Sequence, residues 1–196
     1  MANWCTNIVL FNGDSNKLEE IEQLFNEMAL REKETREGQL PPFVESAEGY
    51  CKDIYTEART IHYETKWVPN TDILVQIADF YQVHFTHEYF ELGFDFFGEA
   101  TYEYGVLKDV RLEKEDLDLI ETDEHGMHTF MGETYEIEEE LLEYLLERKK
   151  DELNNSKGYR RHLCFRQKRD NSIQSHPIQP FNLFNHGKPL QQFDKI

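Results

Sequence analysis

The chain has 196 residues, with 39 Asp and Glu against 21 Lys and Arg and a formal net charge of −18 at pH 7, which argues against a broadly basic surface of the kind that coats nucleic acid. Cys5, Cys51 and Cys164 stand far apart with no CxxC pair, which argues against a disulfide framework and a zinc knuckle. No run approaches the ~20 apolar residues of a membrane span and no basic-then-apolar leader opens the sequence, so no membrane association and a cytoplasmic setting are expected.

The 14 Phe and 10 Tyr point to one compact aromatic core. From Cys5 to Asn12, Ile8, Val9, Leu10 and Phe11 run together and Asn12-Gly13-Asp14 closes them, as in a buried strand ending in a turn. A helix follows to about Arg31, with Ser15 or Asn16 as its cap and Leu18, Ile21, Phe25 and Met28 at helical steps. Residues 32–55 mix charge with Gly38, Gly49 and Pro41-Pro42 and read as a long loop with room for one short ordered element. Arg59 to Trp67 alternates Ile61, Tyr63 and Thr65 with His62, Glu64 and Lys66, which predicts a strand with one buried side. Pro69-Asn70-Thr71 starts a second helix bearing Ile73, Leu74, Ile77, Ala78 and Tyr81. Val83–Glu91 and Phe94–Tyr104 predict two antiparallel strands joined at Leu92-Gly93, with Gly98 marking a bulge in the second.

Beyond Gly105 the pattern weakens. Leu117–Glu121 and Met127–Met131 suggest a hairpin about Glu124-His125-Gly126, and Thr134 opens a helix to about Lys150 with Ile137, Leu141, Tyr144 and Leu145 as its apolar stripe. Charge divides sharply: residues 1–156 hold 37 Asp and Glu against 13 Lys and Arg, net −24, whereas residues 157–196 hold 2 against 8, net +6. The expected organisation is an acidic domain with a C-terminal extension helix over 1–156 and a basic tail over 157–196, partly docked and partly flexible, because Phe181, Leu183, Phe184 and Phe193 are too apolar for a purely solvated segment.

Three clusters carry a family resemblance: Asn3-Trp4-Cys5-x-Asn7 before the first strand, Thr65-Lys66-Trp67-x-Pro69 before the second helix, and Tyr89-x-Glu91-x-Gly93 with Phe96, Gly98 and Tyr104-Gly105. Over residues 2–106 the chain resembles the YubB-type ferredoxin-like domain family, whose members are mostly uncharacterised proteins of bacterial plasmids, phages and integrated elements. The resemblance implies an α+β fold, a ferredoxin-like sandwich of mainly antiparallel sheet with helices packed on one face, here followed by a C-terminal helix and tail. It implies neither iron nor sulfur, and it brings no catalytic residues and no cofactor. The residues themselves read β-α-β-α-β-β, whereas the standard ferredoxin-like order is β-α-β-β-α-β. That difference asks for a strand within 43–55 or a rearranged topology.

Few groups have the spacing that chemistry requires. His84 and His87 neighbour Glu88 and Glu91, yet strand alternation sends His84 and Glu88 to one face and His87 and Glu91 to the other, so no metal is expected. Asp123, Glu124, His125 and His128 read as a solvated hairpin tip. Cys5 and Cys51 lack an electropositive setting, and no glycine motif opens a helix to cradle phosphate. Trp4 and Trp67 stand beside strand ends, where core anchoring is favoured over stacking on a partner or a base.

The acidic rows are the most distinctive feature: Glu99 and Glu103 alternate on a strand, and Glu136, Glu139, Glu140, Glu143 and Glu147 line one side of the last helix. The expectation is a non-enzymatic interaction protein of a bacterial mobile element that engages a basic protein, in its sharper form a DNA-binding protein deceived by a nucleic-acid mimic. Two alternatives come from other classes. One is a small hydrolase-type enzyme using His84 or His87 with neighbouring carboxylates. The other is a nucleic-acid-binding accessory protein acting through Arg160, Arg161, Arg166, Lys168 and Arg169 of the tail.

Overall fold

A computed structural model describes residues 3–91, 93 and 96–170, by backbone alone from 156 onward. In chain order the elements are β1 (Trp4–Asn12), α1 (Ser15–Thr35), β2 (Lys52–Glu57), β3 (Thr60–Lys66), α2 (Thr71–Tyr81), β4 (His84–Glu91), β5 (Phe96–Glu103) and β6 (Val106–Arg111). They are followed by α3 (Lys114–Leu117), β7 (Glu121–Thr122), β8 (His128–Phe130), β9 (Glu133–Tyr135) and α4 (Glu138–Asp170). Six strands form one sheet in the order β2-β3-β1-β4-β5-β6, every neighbouring pair antiparallel. The first four strands with α1 and α2 make the β-α-β-β-α-β unit of a ferredoxin-like sandwich, and the β5–β6 hairpin extends it beyond β4.

The missing strand is β2, which begins inside the segment read from sequence as a loop and runs two residues past it. It escapes a turn-based reading because the β2–β3 hairpin turns on Ala58 and Arg59, with φ 48° and 72°, left-handed positions that glycine or asparagine usually fill. Its start is irregular as well, with a register shift between Lys52 and Tyr55. Glu32 of α1 steadies that irregularity: its carboxylate accepts the backbone N–H of Asp53 at 2.8 Å and of Ile54 at 3.2 Å.

α1 is longer than its apolar spacing suggests. Asp14, rather than Ser15 or Asn16, caps it by accepting the Asn16 N–H at 3.0 Å, and Arg36 closes it in the left-handed conformation with φ 59°. Ile21, Leu24, Phe25, Met28 and Ala29 form its buried face, and Ile73, Leu74, Ile77 and Ala78 that of α2. Both helices press on the inner residues of the sheet, among them Val9, Phe11, Ile61, Tyr63, Phe85, Tyr89, Ala100 and Tyr102. Gly98 marks no bulge. It pairs in continuous register with Tyr89, whose hydroxyl passes across to donate to Asp109 Oδ1 at 2.7 Å.

A second apolar cluster lies on the other face of β5 and β6. Leu112, Phe130, Leu141, Leu142, Leu145 and Leu146 pack there with Phe97 and Val110. The predicted stripe of α4 therefore turns: Leu142 and Leu146 are buried beside Leu141 and Leu145, while Ile137 precedes the helix and Tyr144 is exposed. Leu117 lies in α3, so the small hairpin is shorter than predicted, pairing Glu121 with Thr129 and Thr122 with His128. α4 begins at Glu138 rather than Thr134 and continues to Asp170. The link at Leu92 and Phe94 lies outside the described residues, as do the tail from 171 and its Phe181, Leu183, Phe184 and Phe193.

Candidate interaction sites

The outer face of β4 and β5 sets Glu88 directly opposite Glu99. Packing of α4 brings Lys150 between them and the helix carboxylates, its Nζ 3.0 Å from Glu99 Oε2 and 2.6 Å from Glu147 Oε1. Burial and then the charges of Glu99, Glu143 and Glu147 raise the Glu88 carboxyl above its ordinary value, and Lys150 opposes them. One ammonium thus pairs with two carboxylates and attracts a third, Glu88, against which Glu143 adds repulsion. Of the seven glutamates singled out from sequence, Glu99, Glu143 and Glu147 meet here, joined by Glu88. Glu103 ends β5, Glu139 and Glu140 lie in the first turn of α4, and all three are exposed. Glu136 is not on the helix but in the bend before it, so the predicted five-membered helical row is one residue shorter.

The histidine pair does not converge. His87 is 0% exposed, with Nε2 3.0 Å from Asn7 Oδ1 and Nδ1 3.2 Å from Thr71 Oγ1, and burial pushes its pKa down to about 3. His84 points to the opposite face, edge-on to the Tyr104 ring with centroids 4.6 Å apart. Glu91 faces inward, where its Oε1 accepts from Asn3 Nδ2 at 3.2 Å and from the Gly93 N–H at 3.1 Å. Glu88 faces outward with His84, so the four groups of the hydrolase reading are divided between the two faces of the sheet. Burial pushes the Cys5 and Cys51 thiols up to about 12, far from a nucleophile's range. Among the described residues, no group of three or more His, Cys, Asp and Glu is arranged to hold a metal ion.

Residues from the three motif clusters meet at the end of the sheet where β1 begins and β3 ends. The Trp67 N–H donates to the Asn3 carbonyl at 3.0 Å, and Asn7 Nδ2 donates to Thr65 Oγ1 at 2.9 Å and to the Cys5 carbonyl at 2.8 Å. Thr65 Oγ1 in turn donates to the Val68 carbonyl at 2.8 Å. Nearby, Asn70 accepts from the Tyr63 hydroxyl at 2.7 Å and donates to the Gly49 carbonyl at 2.8 Å, which occupies the side chain that would otherwise cap α2. This network was missed by motif reasoning, although one signal was present: Asn7 and His87 are polar residues at inward strand positions, where an unpaired group is costly. Above it, Trp4 and Trp67 are 38% and 42% exposed. They are surface residues rather than core anchors.

The side chains of Arg160, Arg161, Arg166, Lys168 and Arg169 fall outside the described residues. No described helix is long and apolar enough to cross a membrane. Residues 48–140 match the family model of a ferredoxin-like domain in Api92-like protein. That match agrees with the sheet order and supports the ferredoxin-like α+β assignment. It starts just before β2 and overlaps the YubB-type resemblance over 48–106. No curated protein and no solved structure matches the chain significantly.

Proposed function

We propose that the chain is a non-enzymatic interaction protein of a bacterial mobile element, working in the cytoplasm, that engages a basic protein through the acidic surface of β4, β5 and α4. The observation that supports it is the gathering of Glu99, Glu143 and Glu147 about Glu88, with Lys150 as the ammonium paired to Glu99 and Glu147, which leaves that surface short of positive charge. Lysines or arginines of a partner supply what is missing, and complementary charge of this kind sets the encounter rate and selects partners. The exposed Glu103, Glu136, Glu139 and Glu140 add to the same field.

The sharper form of the reading makes the partner a DNA-binding protein. Carboxylates one helical turn apart are spaced by ~6 Å against one phosphate per ~3.4 Å of a DNA strand. A single helix row is therefore too sparse, and the strand glutamates Glu88 and Glu99 raise the density. Retention of bacterial proteins from lysate by the full chain, compared with the double variant Glu143→Lys, Glu147→Lys, tests the reading. The expected result is a basic nucleic-acid-binding protein held at low salt by the native chain, released at about 1 M salt where screening falls to ~3 Å, and absent from the variant. Equal retention by both chains, or retention of no basic protein, rejects it.

A further inference from the structure

We infer that the cleft between α1 and the β2–β3 hairpin is a binding site for a small zwitterion, a free α-amino acid with a short aliphatic side chain. It opens on the helical face of the sheet, where β1 ends and β3 begins, whereas the acidic surface of β4, β5 and α4 lies on the other face. Its volume is about 180 Å³, and Phe11, Leu18 and Ile61 are part of its apolar wall. At the ~30 Å³ that a water occupies in the liquid, this is room for roughly six waters. The ligand is therefore smaller than the molecules that fill sites of ~300–1,000 Å³.

The wall of the cleft holds a polar group with nothing to bond. Thr56 stands opposite Ile61 in the β2–β3 ladder, so its side chain falls with Ile61 on the inner face of the sheet. Its Oγ1 is buried and, among the described residues, has no hydrogen-bond partner. A hydroxyl left in that state is destabilising, and a valine would fill the same shape without the penalty. Thr56 lines the cleft, so a ligand there can supply the missing partner.

Three exposed charged residues complete the lining: Glu19 and Glu22 on α1, and Arg59 at the hairpin turn. Among the described residues none of the three enters an ion pair or a side-chain hydrogen bond, whereas the neighbouring Lys17 and Glu20 are paired with each other at 3.1 Å. Arg59 holds its place under strain, with φ 72° beside Ala58 at 48°, in the left-handed region that glycine enters freely and other residues rarely do. An unsatisfied hydroxyl and a left-handed arginine thus border one cleft. Destabilising features that gather at one place mark ligand sites.

The charges select the ligand. A simple anion would reach Arg59 but meet two glutamates, and a simple cation would meet Arg59. A molecule that carries both signs on neighbouring atoms satisfies both sides of the cleft. Thr56 and Arg59 belong to the same hairpin and take the carboxylate together, the hydroxyl and the guanidinium both donating to it. The α-ammonium donates to Glu19 and Glu22 across the cleft, and the aliphatic side chain covers Phe11, Leu18 and Ile61. The small volume excludes a large aromatic side chain, and a residue within a peptide lacks the two charges.

The test is isothermal titration calorimetry of the full chain with L-valine. Isobutylamine and N-acetyl-L-valine, each lacking one of the two charges, and L-tryptophan, too large for the cleft, serve as controls. Saturable binding of L-valine is expected, with all three controls much weaker. Thr56→Val and Arg59→Gly are the informative variants, because each removes a destabilising feature of the empty cleft. Without ligand both should be at least as resistant to urea as the native chain, so lost binding cannot be put down to lost folding. Each should nevertheless bind L-valine roughly 10- to 150-fold more weakly, the span of one hydrogen bond to a charged group. The double variant Glu143→Lys, Glu147→Lys should bind as the native chain does, which separates this cleft from the acidic surface. The inference is overturned by absent saturation with L-valine, by a control that binds equally well, by native affinity in either Thr56→Val or Arg59→Gly, or by loss of binding in the double variant.

Discussion

His87 stays uncharged near neutral pH because protonation would put a charge in a fully buried site where Asn7 and Thr71 already occupy both ring nitrogens. Its folded pKa of about 3 lies below the ~6.5 of an unfolded chain. Between those values the unfolded state binds a proton that the folded state refuses, so stability is fully present above about 6.5 and is lost as pH falls toward 3. His87→Gln removes this slope. Urea unfolding at pH 7 and pH 4.5 should show the native chain losing roughly 2–3 kcal/mol more than the variant over that interval. Parallel losses in the two proteins would mean that His87 does not stay neutral in the fold. The same residue holds Asn7, and through it Thr65 and the Trp67 turn, so its neutrality bears on that end of the sheet as well as on the core.

At the scale of elements, β5 is fitted to β4 and β6 through one missing side chain. A Cβ on Gly98 would lie 2.5 Å from the Tyr89 hydroxyl oxygen and 2.9 Å from Arg111 Cβ. Gly98→Ala must displace the Tyr89 ring and its bond to Asp109, and overpacking of this kind costs about 1–3 kcal/mol. Thermal unfolding should register that loss, and an alanine as stable as the native glycine would show that the ring has room to move. β1, α1, β3, α2 and β4 were legible because their apolar periods survive in the sequence. β2 was not, since its hairpin turns on Ala58 and Arg59 and its first residues are irregular. β6 was obscured differently: Val106–Arg111 is almost wholly exposed, so its sequence shows no buried period. The α4 stripe was misplaced by one side because Leu142 and Leu146, rather than Ile137 and Tyr144, meet Phe97 and Val110.

For the whole molecule, the excess of negative charge was legible as composition, but its gathering point was not. Glu88 and Glu99 are brought face to face by strand register, and Lys150 reaches them only because α4 packs across β5. Exposure of Trp4 and Trp67 was equally hidden, since a tryptophan at a strand end is core or surface according to which way the pleat falls. Lys150 is the point at which the charge distribution can be tested as a unit. Its side chain is 22% exposed and that of Glu99 18%, so Lys150→Gln strands mutually repelling carboxylates in a half-dry setting and should cost about 1–3 kcal/mol. For a chain of this size that lowers the melting temperature by roughly 2–4 °C per kcal/mol. Two conditions should shrink the deficit. Salt near 1 M screens the repulsion to ~3 Å. Acid does so through Glu88: its folded pKa is raised above the unfolded value, so it takes up a proton first in the folded state, a stabilising contribution present at low pH and lost as pH rises through the folded pKa. Differential scanning calorimetry of both chains at low and high salt and at pH 5 and 7 measures these differences. A deficit that holds constant across all four conditions would mean that Lys150 contributes packing rather than charge, and that the four carboxylates are not a unit a basic partner completes.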